Sequence, residues 1–253
     1  MTRSHPNSRV RRFLSTVPVT PASLRAALWL DDSDARRGYA SSSYFPMVSW
    51  SQEGEDVLLA QELPPIGRYV DVGAHDPYRF SNTKLLYDKG WRGINIDLTH
   101  DFLEHFAKHR PEDVNVRALV GRPGTRTLYR FEEEALNTLS VERAEELQGD
   151  GWLLRSEETV DVRPLDDILT DSGIPRRIDL LAVDAEGSDL EVLETLNWTR
   201  WDVDRVLVEI GVPAYQVPMN PIAAFLDEAG YLLSRVWGRS CLFERNPDLI
   251  SEP

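Results

Sequence analysis

The stretch Arg68-Tyr-Val-Asp-Val-Gly-Ala-His-Asp-Pro77 decides how the chain folds. Tyr69-Val70-Asp71-Val72 is a short β-rich run that stops at Gly73, where a glycine lets the backbone turn sharply and leaves space beside the main chain for a ligand. Twenty residues on, Arg92-Gly-Ile-Asn-Ile-Asp97 is a second strand-like run, and it ends in an acid. A strand, a glycine turn, a helix and a second strand closed by Asp is the layout of a nucleoside-binding βαβ unit, in which the acid accepts hydrogen bonds from ribose hydroxyls. Neither G-x-G-x-x-G nor G-x-x-x-x-G-K-[ST] is present, so a dinucleotide pyrophosphate or a triphosphate is not provided for. An Asp before a single Gly suits a smaller, cationic nucleoside such as S-adenosylmethionine, and through it methyl transfer.

Working outward, Ser49-Trp-Ser-Gln-Glu-Gly-Glu-Asp56 leads into a helix that ends before Pro64-Pro65. Ser51 or Gly54 can start this helix, and Glu53, Glu55 and Asp56 suit its positive end. On the other side Ser81-Asn-Thr-Lys-Leu-Leu-Tyr-Asp-Lys-Gly90 reads as a helix capped by Ser81 or Asn82, with Leu85 and Leu86 inward and Gly90 as its stop. A helix over 101–110 and a third strand over Val114–Val120 follow. The alternation predicts a parallel sheet with helices on both faces. Thr125–Phe131 and Thr159–Arg163 then read as extra strands around a polar stretch, 132–158. It holds Asn137-Thr138, a helix over Val141–Leu147, the turn Gly149-Asp-Gly151 and an exposed Trp152. An insertion there covers the C-terminal strand edge where ligands bind. We read residues 124–163 as a cap over the acceptor substrate.

Leu165–Leu169 starts a helix leading to Ile178–Asp184, the most apolar strand and a natural sheet centre. Val203–Ile210 is a further strand and Pro221–Ala229 a helix; Tyr231–Trp237 and Ser240–Glu244 form a hairpin around Gly238-Arg239. Five parallel strands, a helix and a terminal hairpin give the seven-stranded outline of class I methyltransferases, a Rossmann-like α/β fold. The domain expected is 46–253, preceded by an extension over 1–45, rich in Arg, Ser, Pro and Thr. That extension reads as a loosely ordered arm able to dock on a neighbouring subunit, with only Ser23–Leu30 helical.

Composition narrows the partners. A formal charge of −14 and a pI near 4.8 argue against a general polyanion-binding surface, so a neutral polyhydroxylated acceptor is expected rather than nucleic acid. One cysteine, Cys241, rules out an intramolecular disulfide and fits a reducing cytoplasm. No apolar run reaches the ~18–20 residues that span a bilayer, and a signal peptide is not evident. A soluble cytoplasmic protein, with a homo-oligomer as an option, is the expectation.

Ser51-Gln52 with Gly54 and Asp56, Tyr69–Pro77, Ser81-Asn-Thr83, Gly90–Asp97, Leu165–Leu169 and Ile178–Leu193 with Asp184-Ala-Glu-Gly187 occur in one order. Together, over about 49–245, they resemble the FkbM-type methyltransferase family. The resemblance implies S-adenosylmethionine-dependent O-methylation, commonly of sugar or natural-product hydroxyls. The chain departs from the family pattern at Ala182, often Lys, and at Ser188-Asp189, often Ala-Glu.

An alcohol is too weak an acid to ionise unaided, so a base, a divalent cation or both must assist. Asp184 and Glu186, at a central strand end, are candidates to take the proton or to hold Mg²⁺, with Glu209 on the next strand as a third oxygen ligand. Asp184 as a helix cap is the structural alternative. His75 is a pocket-wall residue with base as its second role. Asp71, Gly73, Ala74 and His75 are assigned to the cofactor's amino and carboxylate end, with the Gly-Ala-His amides as donors. Asp97 is assigned to the ribose, and Leu98, Ala118 and Leu119 to the adenine. Gln52 and its neighbours close over the nucleoside pocket, and Ser81 and Asn82 are read as capping a helix and contacting the ligand together. His100 is placed at the start of a helix and His5, His105 and His109 on the surface. Trp50, Tyr78, Trp152 and Tyr215 are candidate sugar-stacking surfaces.

Overall fold

A computed structural model describes residues 49–99, 101–133, 136–185 and 187–249. The extension over 1–45 with its Ser23–Leu30 helix, His5, His100 and Glu186 lie outside the described residues. The elements are α1 (Glu55–Glu62), β1 (Arg68–Val72), α2 (Lys84–Asp88), β2 (Arg92–Asp97), α3 (Phe102–His109), β3 (Val114–Arg117), β4 (Leu119–Val120) and β5 (Gly124–Phe131). There follow α4 (Val141–Gly149), β6 (Leu154–Arg163), α5 (Leu165–Ser172), β7 (Arg177–Ile178), β8 (Leu180–Val183) and α6 (Asp189–Glu194). Then come β9 (Asp202–Val203), β10 (Arg205–Glu209), α7 (Pro221–Glu228), β11 (Tyr231–Trp237) and β12 (Ser240–Arg245).

The main sheet has seven strands in the order β11-β12-β10-β8-β1-β2-β3. The five from β3 to β10 are parallel, and β12 pairs antiparallel with both β10 and β11. This is the class I methyltransferase arrangement, with its crossover between β1 and β8. Side chains alternate along each strand, so each face buries its own set. Val70, Val72, Ile94, Ile96, Leu181, Val183, Val206 and Val208 pack on α5, α6 and α7. Tyr69, Leu180, Ala182, Leu207 and Leu242 face Leu59 and Leu63 of the α1 region, Leu86 of α2 and Trp91.

Several expectations about elements are corrected. The strand over Val114–Val120 breaks at Ala118, so that β3 joins the main sheet while β4 pairs with β6 in a separate three-stranded sheet, β4-β6-β5. The second strand of the insertion begins at Leu154 rather than Thr159, because its polar residues up to Glu158 pair with β5. The N-cap of α2 is Thr83 rather than Ser81 or Asn82, although the Ser81 hydroxyl accepts from the Thr83 and Lys84 amides. Leu86 is buried and Leu85 only half-buried. The strand runs over Ile178–Asp184 and Val203–Ile210 are each divided as well, with β7 pairing β9 and β8 pairing β10.

Candidate active site

The first strand ends in a crowded crossover. Gly73 has φ +80°, and a Cβ there would overlap the carbonyl oxygen of Asp184. The glycine thus admits the backbone of the next strand's end, where the sequence suggested space for a ligand. The Asp184 amide donates to Val72 O at 2.9 Å, which closes the seam from the other side.

The amides expected to serve as open donors are engaged. Gly73 N and Ala74 N donate to Ile96 O at 2.9 and 3.2 Å, and His75 N donates to Asp97 Oδ2 at 2.9 Å. Asp97 is thereby the hub of the β1–β2 edge. Its Oδ1 accepts from Thr99 N and Thr99 Oγ1, and its carbonyl accepts from Ala118 N. A carboxylate offers about four acceptor positions, and its three bonds to described residues leave one on Oδ2. Leu98 and Leu119 flank this edge half-buried, and Ala118 is buried in the core beneath it.

Asp71 is turned to the other side. It is buried, with its Oδ2 accepting from Thr83 Oγ1 at 2.5 Å, and burial pushes its carboxyl up to about 6. It is committed to an interior network rather than to the open edge, because its alternation with Val70 and Val72 directs it to the α2–α3 face.

Across the seam, Asp184 and Glu209 stand at the ends of β8 and β10 and line a cavity of about 480 Å³. Asp189, Asn220 and Arg239 add polar walls; Leu190, Ile210, Pro221 and Ile222 add apolar ones. Arg239 Nη2 sits against Glu209 Oε1 as an ion pair, without hydrogen-bond geometry. Asp189 is buried and accepts from Ala185 N and Gly187 N, so it braces the 184–189 loop. A second, narrower cavity of about 20 Å³ shares Asp184, Glu209 and Arg239 and is walled by Gln52, Glu53, Phe80 and Asn82. The Oδ1 of Asn82 is buried there without a hydrogen-bond partner, an acceptor that an incoming donor would satisfy.

The structure therefore brings Gln52, Asn82, Asp184 and Glu209 around the two cavities, and His75, Asp97, Leu98 and Ala118 along the adjoining edge. His75 is exposed, with φ +50°, and belongs to neither cavity wall. Trp50 and Tyr78 are also otherwise occupied: their rings lie 5.2 and 5.1 Å from the Lys84 ammonium, which pairs with Asp88. Trp152 is exposed, as expected, and so is Tyr215.

Sequence reasoning missed Arg239 and Asn220, which line the larger cavity. Arg239 reaches Glu209 through the Glu209↔Ser240 pairing of β10 with β12, which carries no local signature. Asn220 shows an ordinary helix-cap pattern: its side chain accepts from Ile222 N. Among the described residues no group of three or more His, Cys, Asp or Glu is placed to hold a metal ion.

Strand order, the crossover at β1 and β8 and acids at the strand ends define a class I methyltransferase fold. The chain belongs to the FkbM methyltransferase family, whose domain matches residues 71–233. A methyltransferase of Sordaria araneosa, sdnD, is 34% identical over 127 residues, covering 45% of this chain and 46% of that protein. The chain thus matches less than half the length of that relative. Two solved structures are more distant. One is a TehB-like SAM-dependent methyltransferase from Corynebacterium glutamicum, with TM-score 0.43 and 13% identity over 96% of this chain and 98% of that one. The other is a precorrin-6y C5,15-methyltransferase from Geobacter metallireducens, with TM-score 0.38 and 12% identity over 85% and 95%.

Proposed function

We propose that the chain is an S-adenosylmethionine-dependent O-methyltransferase acting on a hydroxyl of a sugar, oligosaccharide or glycoconjugate. The observation that carries this reading is the roughly 480 Å³ cavity at the β8–β10 edge, whose wall residue Asp184 meets the β1 turn at Val72 and Gly73. The residues there suit the cofactor: Asp97 retains an acceptor position for ribose hydroxyls, Asn82 Oδ1 awaits a donor, and the surrounding carboxylates favour a sulfonium cation. Gln52 belongs to the same wall, and Leu98, Ala118 and Leu119 to the adenine side, whereas Ser81 is buried with its hydroxyl engaged by Arg110 and the Thr83 and Lys84 amides.

Bound S-adenosylmethionine supplies an electrophilic methyl group. The chain must hold the acceptor hydroxyl in line with it and remove the proton as the O–C bond forms. Asp184, at the junction of both cavities, is the base in this reading. Asp189, Asn220 and Glu209 orient the acceptor's other hydroxyls, and Glu186 remains a candidate base beside Asp184. His75 lies off the cavity walls and takes a pocket-edge role.

For Mg²⁺ the described donors are a poor match. Glu209 is already paired with Arg239, whereas Mg²⁺ asks for near-octahedral oxygen coordination. The insertion over 124–163 is read as the acceptor cap. Its own small core of Phe131, Ala144 and Leu147 is consistent with a separately built lid. The apolar walls and the exposed Tyr215 and Met219 of the adjoining segment favour one alternative, a non-sugar natural-product alcohol.

The test is methyl incorporation by mass, with S-adenosylmethionine and mono- or oligosaccharides or polyketide-type alcohols, with and without Mg²⁺ or chelator. Asp97→Ala should weaken cofactor binding about 10–100-fold in calorimetry, the scale of a lost hydrogen bond to a charged group. Asp184→Asn should leave that affinity in place and lower turnover about 10²–10⁴-fold. The opposite split would exchange their roles, and a wild-type protein that binds no S-adenosylmethionine ends the proposal.

A further inference from the structure

Arg110, the residue after α3, is fully buried, yet among the described residues it forms no ion pair with a carboxylate. A buried cation is costly unless its donors are satisfied. Here the two Nη atoms make four bonds, mainly to one loop, while Nε is buried without a hydrogen-bond partner. Nη2 donates to Pro77 O at 2.7 Å and to Ser81 Oγ at 2.6 Å. Nη1 donates to Thr83 Oγ1 at 2.7 Å and to Asn95 Oδ1 of β2 at 3.2 Å. The Thr83 hydroxyl in turn donates a hydrogen bond to Asp71 Oδ2, so guanidinium and carboxyl are separated by one hydroxyl.

The loop so held is strained. His75 and Phe80, neither of them glycine, have φ of +50° and +59°. Such geometry persists only where the surroundings over-determine it, and it concentrates at functional sites. The strained end of the loop carries Phe80 and Asn82, two walls of the narrow cavity shared with Asp184 and Glu209. A flat guanidinium reaches three points of a seven-residue loop at once, which a lysine ammonium cannot reproduce in the same geometry.

We propose that Arg110 is a positioning residue of the active site: it fixes the loop from Pro77 to Thr83 so that Asn82 presents its buried carbonyl oxygen to the cavity. The inference rests on the cofactor reading given above. It is tested by calorimetry of S-adenosylmethionine on the full chain carrying Arg110→Lys, Asn82→Ala or both. Arg110→Lys should weaken binding about tenfold alone and less than twofold in the Asn82→Ala background. Equal losses in both backgrounds, or no loss at all, would overturn the proposal, since Arg110 would then serve only the fold.

If Arg110→Lys does not fold by circular dichroism, Thr83→Val and Ser81→Ala each remove one loop contact and should show the same dependence on Asn82. Amide hydrogen exchange gives a readout independent of the cofactor. In Arg110→Lys the Tyr78 and Arg79 amides, which donate to Asp76, should exchange faster while β1 and β2 keep their protection. If wild-type protein binds no S-adenosylmethionine, the cofactor reading fails alone, and unchanged exchange at those amides separately sinks the positioning role.

Discussion

Asp71 shows how burial can set a residue's role. Its carboxyl titrates near 6, chiefly because it is buried, and neither the Thr83 hydroxyl nor the Arg110 charge offsets that. A folded value above the ordinary carboxylate value near 4 means that the folded state holds the proton more tightly. Asp71 therefore supports stability fully below about pH 4, and its support is lost as pH rises through about 6. Asp71→Asn keeps an acceptor for Thr83 and removes the ionisation. Its melting temperature should gain on wild type progressively between pH 4 and 7, a difference on the order of 2–3 kcal/mol at the top of that range. A gain at acid pH that shrinks on going to pH 7 would show that the Arg110 charge, not burial, governs the site. At this scale the sequence was informative about type and less so about direction. Asp71, Gly73 and Asp97 were legible as a strand-end constellation. The engagement of Asp71 with Thr83, and of the Gly73–His75 amides with Ile96 and Asp97, depends on β1–β2 register and on a turn with positive φ. The departure at Ala182 acquires a place too, since Ala182 pairs with Asp71 in the sheet and is buried among apolar neighbours.

Elements with a strong apolar period were readable, and those whose partner lies far away were not. Ile178–Asp184 and Val203–Ile210 stand out as buried runs, and the terminal hairpin announces itself at Gly238. The break at Ala118 has no local mark: Leu119-Val120 leave the main sheet because β6 offers them a pairing. The insertion is the element whose independence can be tested. Phe131, Ala144 and Leu147 form their own cluster, apart from the two that sandwich the main sheet. Replacing 132–153 by an Asn-Gly turn between β5 and β6 should preserve the main sheet, since that turn closes a two-residue hairpin. The melting temperature should move by only a few degrees and cofactor affinity should stay. The KM for acceptor should rise about tenfold or more, as expected for a loop that covers the ligand. An unchanged acceptor KM would remove the cap role, and a collapse of cooperative unfolding would show that the insertion is part of the core.

The whole molecule carries a net charge of −14, and the cavity proposed for the acceptor repeats that sign locally. Its walls hold Asp184, Asp189 and Glu209 against Arg239, whose guanidinium is already paired with Glu209. A phosphorylated or sulfated acceptor would approach through an unfavourable field and lose water from its anion without a free counter-charge. A neutral sugar would meet only hydroxyl acceptors and donors. kcat/KM for a neutral sugar should therefore exceed that of its sulfated counterpart. The gap should narrow as ionic strength rises from about 0.02 to 0.3 M, because the Debye length falls from about 20 Å to about 6 Å. Arg239→Gln removes the guanidinium and leaves Glu209 unpaired, so it should widen the gap at low salt. Were the sulfated sugar the better substrate, and that preference lost in Arg239→Gln, Arg239 would be an anion clamp released from Glu209 on binding. The hairpin turn that places it beside β10 would then select charged rather than neutral acceptors.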